Sequence, residues 1–354
     1  MNTSYPLIRL LHAQILSVVT LFIFVLGAGI VSAEETKIVK IGIIGLDTSH
    51  AVTFTKILNA SGKKANPKFA GFRVTHAYPQ GSPSIPSSKE RVPEYTKRVK
   101  AMGVLIVDSI PELLKKVDVI LLESNDGNPH LEQLLPCLRA GKLVFIDKPV
   151  AASLSDVIAI FELAEKYHVP VFSSSSLRFA KETQAIRRGK LGKVLGCDTF
   201  SPCSLEKSHI DLAWYGVHGV ESLYTIMGTG CQSVTRVSTK DFEQVTGLWK
   251  DNRIGTFRGT RAGKHGYGGT AFCKKGVSNK VGKYDGYEVL LEEVVKFFKT
   301  RKVPVTKEET IEIFAFMEAA DESKRQNGVP ITLASVMKKA RIEAAKKIEK
   351  YRPK

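Results

Sequence analysis

The chain has 354 residues, 43% hydrophobic and 25% charged, a composition that excludes a disordered or fibrous protein and suffices for two cores. Its formal charge is +17. No nucleic-acid-binding motif accompanies that charge, so the excess reads as solvated basic surface or as attraction for anions.

Residues 1–33 read as a secretory signal peptide. Arg9 precedes an apolar run from Ile15 to Val31, and Val31 and Ala33 occupy the small-residue cleavage positions before Glu34. The alternative is an uncleaved anchor, although the run falls short of the ~20 residues that span a bilayer. No Arg-Arg pair or following Cys supports a twin-arginine or lipoprotein route. The expectation is export to the periplasm or beyond, with no membrane span after cleavage.

Residues 37–150 alternate apolar strands with helical patterns. "VKIGIIG" and "FRVTHAY" are predicted strands, and "VDVILLES" and "KLVFID" are continuous apolar runs, as in strands covered on both faces. "PHLEQLLPCLRAGK" is a predicted helix with Gly141 as its cap and Pro136 as a kink. "QGSPSIPSSKERVP", Gln80 to Pro93, reads as an exposed loop. The rhythm predicts an α/β chain opening on a Rossmann-like, doubly wound parallel sheet.

Residues 151–335 predict an α+β domain with an open, mainly antiparallel sheet. Ser153 with Asp156, and Thr306 with Glu309, are capping patterns. "KVLGCDTF", "VTGLWKD", "IGTFRGTR" and "YGGTAFC" alternate in period two. Residues 336–354 predict a basic helical tail with a solvated face. The cysteines, Cys137, Cys197, Cys203, Cys231 and Cys273, are odd in number and show no zinc spacing. Buried free thiols and no metal site are expected.

Three short stretches bear on chemistry. In "GLDTSH" the first glycine of a G-x-G-x-x-G loop is Gly45, but Asp47 and His50 stand where the second and third belong. "DKP", Asp147 to Pro149, ends a buried strand, where open α/β sheets bind ligands. "WYGVHGVE" puts His218 at the start of a predicted helix with Glu221 one turn on.

These stretches, with "SNDGNPHLEQLLPCLRAGKLVFIDKPVA", "SLRF" and "EIFAFMEAADES", resemble in order and spacing the Gfo/Idh/MocA family of nicotinamide-dependent oxidoreductases, over roughly Lys37 to Leu333. The resemblance implies hydride exchange between NAD or NADP and a sugar, sugar acid or polyol. Two alternatives stay open: redox-neutral NAD-dependent glycoside hydrolysis, and a catalytically inactive carbohydrate-binding relic.

The resemblance implies Lys148 as the group stabilising a substrate alkoxide and His218 as the proton-transferring residue. It assigns Gly45, Leu46, Asp47, Thr48, Ser49, Asn125, His130, Asp147 and Lys148 to the cofactor, with a loop cap as the other reading of Asn125 and His130. Arg178, Trp214, Tyr215 and Glu221 are candidates for substrate, and Glu221 for orienting His218. The family's acid four residues before the His is Trp214 here. Asp47 either faces the pyrophosphate or, like Thr48 or Ser49, caps the helix behind. Ser82, Lys89 and Arg91 favour NADP. The arginines of "WKDNRIGTFRGTR", Arg253, Arg258 and Arg261, suit an anionic carbohydrate if they line the cleft. A homo-oligomer through the open sheet is expected.

Overall fold

The computed structural model describes residues 38–351; the signal-peptide reading of residues 1–33 lies outside them. Six strands, β1 (Val39–Ile44), β2 (Phe72–Tyr78), β3 (Leu105–Ile106), β4 (Val119–Leu122), β5 (Val144–Ile146) and β6 (Val171–Ser173), form one sheet in the order β3-β2-β1-β4-β5-β6. Every pairing in it is parallel. The crossovers are α1 (Ser49–Leu58), α2 (Pro86–Ala101), α3 (Ile110–Lys116), α4 (His130–Arg139) and α5 (Leu154–Lys166). Strands β4 and β5 are buried along their whole length, as their unbroken apolar runs require.

Next come α6 (Lys181–Arg187), β7 (Val194–Pro202), α7 (Val217–Met227), β8 (Cys231–Ser238), β9 (Phe242–Trp249), β10 (Ile254–Thr260), β11 (Gly268–Cys273) and β12 (Gly276–Ser278). The described chain closes with α8 (Glu288–Thr300), α9 (Lys307–Arg325), β13 (Ile331–Thr332) and α10 (Leu333–Tyr351). The second sheet runs β12-β11-β7-β10-β9-β8-β13 and is antiparallel except between β7 and β10. One face carries Phe257, Val245 and Trp249 into the core under α7 and α9; the other leaves Phe200, Phe242, Leu248, Ile254 and Phe272 exposed.

The predicted caps form. Ser153 Oγ accepts from the Asp156 amide at 3.2 Å, Thr306 Oγ1 accepts from Glu309 at 3.2 Å, and Gly141 takes a φ of 66° behind α4. All five cysteines are free and buried. One expectation changes. The stretch Gln80 to Pro93 is not an exposed loop: α2 starts at Pro86, whose fixed φ suits a first helical turn, and runs through Pro93. Ser82 and Ser88 are buried. The basic tail is a helix with a solvated face and is packed along the other. Helix α10 begins at Leu333 and buries Val336, Ala340, Ala344 and Ile348, with α5 as its main contact. Its basic residues occupy the opposite face, and Lys347 pairs with Asp156. Among the described residues no helix is long and apolar enough to cross a membrane.

Candidate functional site

The site lies at the C-terminal ends of β1, β4 and β5, where the direction of winding reverses. Gly45 turns the chain out of β1 at a φ of 92°; a Cβ there would stand 2.5 Å from the Ser124 amide nitrogen. Leu46 is buried, with its amide bonded to the Gln80 carbonyl. Thr48 caps α1, its hydroxyl accepting from the Ala51 amide at 3.3 Å.

Asp47 does neither of the two things expected of it. Its carboxylate is fully buried, accepting from Ser88 Oγ at 2.6 Å and from the Asn125 amide at 2.9 Å. It ties the β1 turn to the start of α2 on one side and to the end of β4 on the other. Burial raises its pKa against these hydrogen bonds. Close by, Ser82 Oγ donates to Asp126 Oδ2 at 2.7 Å, so the segments after β2 and β4 meet directly.

A cavity of about 250 Å³ opens beside this network. Thr48, Ser49, His50, Arg91 and Asn125 come to it from the first half of the chain, with Lys148 from the turn after β5. Ser176, Tyr215, His218, Tyr267, Tyr284 and Tyr287 come from the second half. Lys148 Nζ lies 5.6 Å from the centre of the Tyr215 ring, inside cation–π range. His218 sits in the first turn of α7. The next residue, Gly219, lets that helix press on β10: a Cβ there would stand 2.3 Å from the Phe257 ring. Ser175 Oγ and His218 Nδ1 are 2.7 Å apart. Burial, then the Lys148 charge, push the His218 pKa well below its ordinary value, not near neutrality. The ring is therefore neutral at pH 7.

Other expected site residues are engaged elsewhere. Arg178 is buried, pairing with Glu221 at 2.6 Å and Glu309 at 2.7 Å. Glu221 also takes Ser174 Oγ and the Ser175 amide, and makes no bond to His218. Neither lines the cavity; each holds the other in a buried ion pair, with Arg178 Nη2 left without a hydrogen-bond partner. Trp214 packs on His209 and does not line the cavity. Asp211 pairs with Arg236 and Lys324. His130 is the loop cap, its ring nitrogens 2.9 and 3.1 Å from the Ser124 and Val150 carbonyls, one of which accepts its N–H. The arginine hairpin is outside the cavity: Arg253 pairs with Asp251, Arg261 with Glu243, and Arg258 is exposed on β10. Asp147 is fully buried and meets His50 Nδ1 at 2.7 Å, with Glu123 beside it. Burial, with Asp147 alongside, holds Glu123 well above the usual carboxylate range.

Sequence reasoning left His50 as a misplaced glycine and did not find Glu123, Tyr267, Tyr284 or Tyr287. Glu123 ends an apolar strand, itself a signal, since acids there face the ligand end of the sheet. The tyrosines come from loops that only the fold brings together. A larger cavity of about 390 Å³ between α5, α9 and α10 is lined by apolar residues such as Ile311 and Met337 and by the charged Glu162, Lys307, Glu308, Glu312 and Arg341.

The Asp47 turn departs from the glycine pattern of a dinucleotide-binding loop. The second glycine of the binding loop exists so that backbone can approach pyrophosphate. Here a buried carboxylate fills that approach and is bonded across the crevice. The Ser82–Asp126 contact joins the two segments that would flank the adenosine. Ser82 is thereby removed as a 2′-phosphate ligand, while Arg91 turns to the cavity and reaches the Asp47 carbonyl at 3.5 Å.

Comparison with known proteins agrees with the fold. A curated myo-inositol 2-dehydrogenase of Thermotoga maritima is 35% identical over 81 residues, a match spanning 22% of this chain and 24% of that enzyme's length. The scyllo-inositol dehydrogenase from Lactobacillus casei, crystallised with NAD(H) and scyllo-inositol, superposes with a TM-score of 0.65 at 14% identity, covering 84% of this chain and 100% of that one. GenD2 from gentamicin A biosynthesis, in complex with NAD, gives 0.67 at 15% identity, covering 84% and 96%. Such identities establish the shared fold. The family model for Gfo/Idh/MocA, an oxidoreductase family with an NAD-binding Rossmann fold, matches residues 39–175. The similarity to the Gfo/Idh/MocA oxidoreductase family thus lies in this N-terminal sheet and the turns that crown it.

Proposed function

We propose that this protein binds a polyol or sugar in the Lys148–His218 cavity and moves the proton of one of its hydroxyl groups to His218. The observation that carries the reading is the convergence of an ammonium and a neutral imidazole on one small cavity ringed by tyrosines. Lys148 donates to the substrate oxygen and stabilises charge developing there. With Nδ1–H donating to Ser175, His218 presents the Nε2 lone pair as a proton acceptor. The tyrosine hydroxyls bond ring hydroxyls, and their faces pack on the ring's C–H surface. The names of the inositol dehydrogenases above support the polyol class. Arg91 is the one cation besides Lys148 lining the cavity, which suits a neutral or singly anionic ligand.

A dehydrogenase exchanging hydride with NAD or NADP is the second reading, supported by the family match. It requires Ser82 to part from Asp126 and Ser88 from Asp47, and redox-neutral glycoside hydrolysis has the same requirement. Export, read from residues 1–33, supports a reaction that consumes no diffusible cofactor.

The test is paired. NADH and NADPH are titrated by fluorescence into the wild type and Asp47→Gly. scyllo-Inositol, myo-inositol, hexoses and hexuronates are titrated by calorimetry into the wild type, Lys148→Met and His218→Gln. The expected result is no dinucleotide binding to the wild type, gain of it in Asp47→Gly, and polyol binding weakened at least ~10-fold by Lys148→Met, the loss of a charge-assisted hydrogen bond. Wild-type binding of NADH with turnover of a polyol restores the dehydrogenase. Binding of the same polyol unaffected by either cavity substitution removes the cavity from the reading.

A further inference from the structure

Three side chains that no expectation treated as a set meet beneath the cavity wall. His50 opens α1, Glu123 follows β4, and Asp147 follows β5. One ligand atom from each lies within 4.8 Å of the others. His50 Nδ1 and Asp147 Oδ2 are 2.7 Å apart. Glu123 has no exposed surface, and both of its carboxylate oxygens lack a hydrogen-bond partner; so does Asp147 Oδ1.

That pattern is costly unless something completes it. A buried, unpaired carboxylate is penalised by several kcal/mol, and buried acids in folded proteins are paired or bound to metal. Lys148 does not supply the bond, since the Glu123 oxygens have no partner while its own Nζ leans toward the Tyr215 ring. Ligands of one ion, with bonds of ~2.0 to ~2.6 Å, stand from ~3 Å apart when adjacent to ~5 Å when opposite, and these three atoms all lie within 4.8 Å of one another.

We propose that His50, Glu123 and Asp147 bind a divalent metal ion, of the class that accepts one imidazole and two carboxylates, such as Zn²⁺ or Mn²⁺. The site stands against the expectation of no metal drawn from the sequence. The ion neutralises both carboxylates and joins the first turn of α1 to two strand ends. Three protein ligands are the number found in metal sites that keep a position for water or a substrate oxygen. His50 lines the ligand cavity, so a polyol oxygen entering there is the candidate for that position. The residue in the third-glycine place is then a ligand, and the turn that departs from a dinucleotide loop gains a positive use.

The test uses the full chain, purified without chelator and away from nickel resin. Elemental analysis is expected to find about one transition-metal ion per chain. Removal by chelation followed by Zn²⁺ or Mn²⁺ is expected to lower and then restore the unfolding temperature. Glu123→Gln and His50→Gln are each expected to weaken Zn²⁺ binding by about 100-fold or more, while Glu94→Gln, on an exposed face of α2, changes nothing. Should the two ligand variants fail to fold, Co²⁺ added to the metal-free wild type is read by visible absorption. Wild type that retains no metal, shows no thermal shift with either ion and gives no cobalt bands overturns the proposal and leaves Glu123 a neutral buried acid. That outcome is separable from failure of the polyol reading, which is scored by calorimetry through Lys148.

Discussion

Asp47 and His218 show how a single side chain's surroundings decide its role. The sequence marks both as candidates, but the partners of neither are legible in it. The sequence offers Asp47 either the pyrophosphate or the cap of a helix, and its hydrogen bonds run instead to Ser88 and the Asn125 amide. Those partners lie 41 and 78 positions along the chain, beyond any local pattern. For His218 the consequence is a pH dependence. Folded, it binds fewer protons than unfolded between its lowered pKa and about 6.5. Stability is therefore full above that range and is lost as pH falls through it. The unfolding temperature of the wild type is expected to drop on going from pH 7 to pH 5, and His218→Gln is expected to reduce that slope. Buried His130 and His209, also held low, keep it from vanishing. An equal slope in both proteins would show that His218 is not the group responsible.

Among elements, the β1 turn carries the most constraint. Gly45 needs a left-handed φ and has Ser124 backbone where a side chain would begin. Gly45→Ala combines a positive φ with overlap against β4, and is expected to cost about 2–5 kcal/mol, measured as a lower urea midpoint with unchanged slope. A cost under 1 kcal/mol would mean the turn readily adopts another path. Strands β1, β4 and β5 and the capped helices were readable because local rules act there: continuous apolar runs, Ser or Thr at the N-cap, glycine behind the last turn. Helix α2 was not, since its opening proline and serines carry the composition of a loop. What makes it a helix is the proline in its first turn and the attachment of Ser88 to a carboxylate from another part of the chain.

At the scale of the whole molecule, the two-sheet plan followed from the change in period, while the cavity's tyrosines and the Arg178 ion network arise only when distant loops close on one another. The outer face of the second sheet remains. Phe200, Phe242, Leu248, Ile254 and Phe272 are all more than 40% exposed on neighbouring strands. A continuous apolar patch of this kind marks an interaction surface in soluble proteins. Self-association through this face is expected: sedimentation velocity should find a dimer or larger species, and Phe200→Asp with Leu248→Asp should shift it toward monomer. A wild-type monomer at micromolar concentration would rule this out.

The five buried thiols have a further meaning for a chain read as exported. In an oxidising compartment an odd, exposed set would cross-link copies at random. Burial pushes Cys137, Cys203 and Cys231 up to about 12 and raises Cys197 and Cys273 as well, so little thiolate forms while the fold is closed. Chemical safety is thus a property of the folded core rather than of any pairing. Each thiol becomes reactive through opening of the structure around it, and the protein's lifetime under oxidising conditions is set by how often its core breathes.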